Sequence, residues 1–162
     1  MDPVGWVLEN KERKARTMGV NIRSKGQRGE REAAGFIMQW AEEVTIGHGL
    51  ASIELTRNLQ QARAGGYDLV GIDWLALEIK RHENLQVSQW WKQAVRQAGP
   101  GQIPLLMYRQ NRTPWRFRVT LTAAHYAPCG HSGTSRLTVD MDAEQTKAWF
   151  QHELWVRLNG KG

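Results

Sequence analysis

The chain has 162 residues, 41% of them hydrophobic, with 22 Lys and Arg against 16 Asp and Glu and a formal net charge of +6. That length suits one domain with a real core, and the basic balance points to a polyanionic partner, nucleic acid first. No apolar run approaches the ~18 residues of a membrane span and the N-terminus lacks a secretory apolar core, so no membrane partner and a cytoplasmic location are expected. The single cysteine, Cys129, excludes an intrachain disulfide, and with His131 it is too small a cluster for structural zinc.

Residues 1–22 are charged and weakly periodic and read as a basic arm. From Ser24 the pattern changes. Ser24 and Gln27 suit a capping box, and Ala33, Ala34, Ile37, Ala41 and Val44 recur at helical spacing, so a first helix is expected over about 25–44. "ASIELTR", 51–57, alternates as a strand, a loop follows, and "GGYDLVGIDWLALEIK", 65–80, reads as a hairpin. "ENLQVSQWWKQAVRQA", 83–98, gives a second helix that ends at Gly99-Pro100-Gly101. Strands "IPLLMYR" and "WRFRVTL" come next, joined through Asn111 to Pro114, then a strand near "SRLTVDM" and a helix over 142–158. The order α-βββ-α-ββ-β-α implies an α/β or α+β architecture, a mixed central sheet flanked by helices. The expected organisation is an arm over 1–22, a core over 23–121, and a strand-helix extension of the same domain over 122–162.

The hairpin raises the chemical question. Side chains alternate along a strand, so Glu78 and Lys80 share one face while Leu75, Leu77 and Ile79 share the other. Charge inside a sheet must be paired, hydrogen-bonded or bound to a metal. If Ile72-Asp73-Trp74 form a three-residue loop, Asp68 falls opposite Glu78, with about 5 Å between β-carbons. At about 100° per residue, Glu30 lies within about 60° of the apolar stripe of the first helix and points inward, whereas Glu32, about 200° further round, is expected to face solvent. Oxygen ligands from Asp68, Glu78 and Glu30 suit Mg²⁺ or Mn²⁺, with Lys80 placed to hold attacking water or stabilise negative charge.

"SKGQRGERE", then Arg57, "GGYDLV", "LEIK" and finally "PWRF", in that order, resemble the PD-(D/E)XK nuclease superfamily and within it the archaeal-type Holliday junction resolvases, phage-encoded relatives included. Tyr67 stands where the signature has proline. The resemblance covers about Ser24 to Arg118 and implies a restriction-endonuclease-like core. It also implies that Glu30, Asp68 and Glu78 organise the metal, that Lys80 is the catalytic lysine, and that Lys25, Arg28, Arg31, Arg57, Arg63 and Arg81 meet DNA. The expected activity is metal-dependent endonucleolytic hydrolysis of four-way junctions by a homodimer, in the host cytoplasm if the chain is phage-encoded. A restriction-like or repair endonuclease with another DNA substrate is the alternative within the enzyme class. A DNA-binding module that has lost cleavage is the alternative outside it. The flank Gln86, Gln89, Gln93 and Gln97 reads as a solvated helix border, His82 as an ordinary strand end, and Trp74 as the tryptophan that packing explains least.

Overall fold

The computed structural model describes residues 27–46, 56–57, 68–122 and 136–159, with the backbone alone for 56, 57, 69, 70 and 122. The basic arm, Ser24, Lys25, Arg63 and Cys129 lie outside the described residues, and the side chain of Arg57 does too.

Alternation along "LALEIK" decides the layers. Strand β3, Leu75–His82, turns Leu75, Leu77 and Ile79 onto a core shared with two helices, α1 (residues 27–46) and α3 (Ala143–Asn159). Helix α1 brings Ala33, Ile37, Trp40 and Ala41 to that core at helical spacing, and α3 brings Trp149, Phe150 and Leu154. The other sheet face packs Leu106 and Tyr108 against Trp90 and Ala94 of helix α2, Val87–Gln97. Side chains as fully enclosed as Phe117, Phe150 and Ile37 each contribute about 1.5–3 kcal/mol by leaving water.

Among the described residues the sheet has six strands in chain order: β1 (Thr56–Arg57), β2 (Leu69–Val70), β3, β4 (Ile103–Gln110), β5 (Arg116–Thr122) and β6 (Arg136–Met141). β3 and β4 are parallel and the other neighbours antiparallel. A parallel pair needs a crossover, and α2 supplies it. This is the mixed sheet flanked by helices that the sequence implied.

Local chemistry sets the boundaries. The β2–β3 connection has a positive φ of 128° at Gly71, a backbone that residues with side chains rarely adopt, and closes with Leu75 N–H donating to Ile72 O at 3.1 Å. Helix α2 starts four residues later than "ENLQ" suggested, because β3 runs on to His82 and residues 83–86 reverse the chain. Helix α3 opens on a reciprocal cap: Asp142 Oδ1 accepts from Gln145 N–H at 2.9 Å, and Gln145 Oε1 accepts from Asp142 N–H at 3.1 Å.

Trp74 corrects the sequence reading. Its ring stacks on Phe150 at 5.7 Å, meets Trp149 edge-on at 6.3 Å, and lies under the Arg157 guanidinium at 4.3 Å. Packing explains it: the hairpin tip folds back over α3, so a residue at a turn in the sequence lies half-buried against the core in space.

Candidate active site

Two residues build the centre, Asp68 just before β2 and Glu78 within β3. Leu69 pairs with Leu77, which sets Asp68 next in line to Glu78, the register expected of the odd loop. Asp68 then brackets Glu78 along β3. Its backbone N–H donates to Leu77 O at 2.9 Å, and its Oδ2 accepts from Ile79 N–H at 2.5 Å. Asp68 is 7% exposed and Glu78 1%.

Charge around Glu78 is unbalanced. Burial pushes its carboxyl up to about 7, the Asp68 carboxylate pushes the same way and Glu30 adds a smaller push, while Lys80 pulls it back. Lys80 Nζ is ion-paired with Glu78 Oε1, and Gln93 Nε2 donates to the same oxygen at 2.9 Å. Among the described residues Glu78 Oε2 is buried without a hydrogen-bond partner. A buried carboxylate oxygen left bare among other carboxylates is an anionic, all-oxygen environment of the kind hard divalent cations occupy. Among the described residues no group of acidic, histidine or cysteine side chains is already closed into a metal cage: Lys80 holds one oxygen of Glu78, and Asp68 is turned onto the β3 backbone.

The structure treats the remaining expected site residues unequally. Glu30 is half-buried on the N-terminal part of α1, whose apolar residues pack on the Leu77 and Ile79 face of β3, and its charge still reaches Glu78, where it pushes the carboxyl up less than Asp68 does. Arg28 and Arg31 are exposed, and Arg81 donates from Nε to Asn111 Oδ1 at 3.2 Å. His82 is exposed at the end of β3, accepts from Asn84 N–H at 3.2 Å and has its ring 6.3 Å from that of Trp90.

Two sequence readings are corrected. Gln93 is part of the site, since α2 crosses the face that carries Glu78; helical spacing alone does not reveal which flank of α2 meets the acid. Glu32 is half-exposed but engaged rather than free in solvent. Its Oε2 accepts from Arg109 Nη2 at 2.7 Å and its Oε1 from Trp115 Nε1 at 3.0 Å, while Arg109 stacks over Trp115 at 4.4 Å. Burial pulls the Arg109 guanidinium below its usual range and Glu32 holds it up. A helical wheel sees the sheet beneath α1 but not the ends of β4 and β5 standing beside it. The same clamp brings the start of α1 close: a β-carbon on Gly29 would lie 3.7 Å from Trp115 Cη2 and 3.8 Å from Arg81 Cβ and Ile79 Cγ2.

A mixed sheet with an Asp and a Glu-x-Lys strand side by side defines the class, a PD-(D/E)XK nuclease. Residues 21–154 match the model of the family described as "Phage putative PDDEXK endonuclease", and the chain belongs to that family. A search of curated proteins finds no match. Among solved structures, the chain is similar to Hjc, a Holliday junction resolvase of the hyperthermophilic archaeon Archaeoglobus fulgidus, with 20% identity and a TM-score of 0.39 over 56% of this chain and 72% of Hjc.

Proposed function

We propose that the protein is a divalent-metal-dependent DNA endonuclease that uses Asp68, Glu78, Lys80 and Glu30, with Mg²⁺ as the working ion and Mn²⁺ as a substitute. The observation that carries this reading is the state of Glu78: buried, pushed up to about 7, flanked by Asp68, and with one oxygen that no described residue hydrogen-bonds. Nothing in core packing requires a carboxylate there, and a chain whose only need was a filled sheet would have an apolar residue.

Asp68, Glu78 and Glu30 would hold the ion. When bound, it supplies positive charge to the phosphoryl oxygens and lowers the pKa of attacking water. The chain's own groups do the rest. Lys80, one residue pair along β3 on the same face, carries the positive charge that stabilises the phosphorane-like transition state or holds the incoming water. Gln93 fixes the orientation of the Glu78 carboxylate, and the Ile79 N–H fixes that of Asp68. Water adds to phosphorus and the bond to one flanking sugar oxygen breaks, leaving a nick.

For substrate we propose branched DNA, a four-way junction cut by paired nicks. The support is the order of the "SKGQRGERE", "GGYDLV", "LEIK" and "PWRF" motifs and the net charge of +6. Two symmetric nicks need two active sites, which a twofold homodimer supplies most simply. The test is cleavage of a labelled four-way junction beside linear, nicked and single-stranded DNA of the same sequence, in Mg²⁺, Mn²⁺ or chelator. Paired nicks in the junction alone, absent in chelator, are expected. Equal cutting of every substrate would remove the junction specificity and keep the nuclease. Binding without cutting in either metal would make the protein a DNA-binding module.

A further inference from the structure

We propose that the β4–β5 turn is a DNA-backbone contact in which Arg112 touches phosphate; the proposal rests on the nuclease reading above. The turn runs from Gln110 to Thr113 and is closed on the Gln110 carbonyl, which accepts from Thr113 N–H at 3.2 Å and from Thr113 Oγ1 at 2.9 Å. Arg112 occupies its third position with φ 63°, and among the described residues no other non-glycine has positive φ. Turns of this kind favour Gly or Asn at that position, because any larger side chain strains the left-handed backbone.

An asparagine is available and stands one place too early. Asn111 is used where it is: Arg81 Nε donates to its Oδ1 at 3.2 Å and its Nδ2 donates to Glu83 Oε1, while Gln110 Nε2 donates to Glu83 O at 2.8 Å. These bonds tie the turn to the end of β3 and leave Arg112 exposed at its tip, with no hydrogen bond or ion pair among the described residues. The protein therefore holds a strained arginine in solvent and, among the described residues, gains no hydrogen bond or ion pair from it. Strain of this kind is retained where a side chain serves a ligand.

Position supplies the ligand. The parallel register sets Lys80 beside Tyr108 and His82 beside Gln110, so the turn begins about 7 Å beyond the level of Lys80, at about 3.3 Å per residue. A DNA strand presents one phosphate per about 3.4 Å of axis, so a backbone engaged at Glu78 and Lys80 passes within reach of a long side chain there. Exposed Arg28 and Arg31 lie near the same end of the sheet, on the start of α1, where Gly29 approaches Arg81 at the end of β3. The nearby acids Glu32 and Glu83 are already engaged, by Arg109 and Asn111.

The test is DNA binding in chelator, by fluorescence anisotropy from about 50 to 200 mM salt, on a linear duplex and a four-way junction of the same sequence. The proteins compared are wild type, Arg112→Asn and Arg112→Lys. Arg112→Asn should weaken binding to both DNAs about five- to tenfold at the lowest salt and reduce the slope of log affinity against log salt by about one contact. Arg112→Lys should keep the slope. Arg112→Asn should also melt about 2 °C higher, since asparagine accepts the left-handed backbone; a defect in folding would lower the melt instead. Wild-type affinity and slope in Arg112→Asn would overturn the proposal. Failure of the wild type itself to bind either DNA would overturn the nuclease reading, and the role of Arg112 with it.

Discussion

Glu32→Gln is a substitution that the sequence alone would score as silent and the structure does not. Arg109 is 15% exposed and Glu32 35%, so their ion pair lies between two regimes. Breaking a fully buried pair costs about 3–5 kcal/mol, whereas exposed pairs contribute about 0–1 kcal/mol. Glutamine keeps an oxygen for Trp115 Nε1 and removes only the charge facing Arg109, which places its cost near the lower end, about 1 kcal/mol. Glu32→Ala also leaves the indole N–H of a buried Trp115 without its acceptor, which adds about 1 kcal/mol. At about 2–4 °C per kcal/mol for a chain of this size, the melting temperature should fall by about 2–4 °C for glutamine and about 4–8 °C for alanine. Thermal melts followed by circular dichroism in chelator at neutral pH measure both. If the two variants melt with the wild type, the clamp of Glu32, Arg109 and Trp115 does not hold the start of α1.

Three further outcomes are expected. In chelator, stability should fall by about 2–3 kcal/mol as pH rises from 5 to 8: the Glu78 carboxyl is raised from 4.5 to about 7 on folding, so its contribution is full below the unfolded value and lost as pH passes the folded one. Glu78→Gln should flatten that profile in urea titrations, and a profile as steep as the wild type's would assign the pH dependence elsewhere. Gln93→Leu should fold normally and lower the single-turnover cleavage rate about tenfold, equivalent to about 1.4 kcal/mol, by freeing the Glu78 carboxylate; an unchanged rate would return Gln93 to the helix border. Trp74→Ala should cost about 2–3 kcal/mol in equilibrium unfolding, less than a fully enclosed tryptophan because the ring is half-buried, and a loss below about 0.5 kcal/mol, the size of an ordinary surface change, would contradict its packing on Phe150.

The legible parts of this molecule were those governed by one periodicity at a time. Alternation in "LALEIK" separated Leu77 and Ile79 from Glu78 and Lys80, and the odd loop put Asp68 beside Glu78; both follow from backbone geometry within a single hairpin. The order of strands and helices was readable for the same reason. What stayed hidden depends on one element meeting the side of another. Gln93 reaches Glu78 because α2 crosses over β3, and Glu32 is held because Arg109 and Trp115 rise beside α1. Trp74 looked unexplained because its partners Phe150 and Arg157 lie more than seventy residues later. Arg112 was invisible in another way, since its positive φ is a property of the folded turn.

A metal-dependent hydrolytic centre at the carboxylates around Glu78 is what the proposed function requires. It is tested most directly by single-turnover cleavage of a labelled four-way junction at saturating Mg²⁺, comparing Glu78→Gln with wild type and reading junction binding in the same samples. Cleavage by Glu78→Gln should drop by orders of magnitude, at about 1.4 kcal/mol of barrier per tenfold, while binding is kept or tightened because less negative charge faces phosphate. Cleavage by Glu78→Gln within a few-fold of wild type, in protein that binds the junction normally, would contradict it.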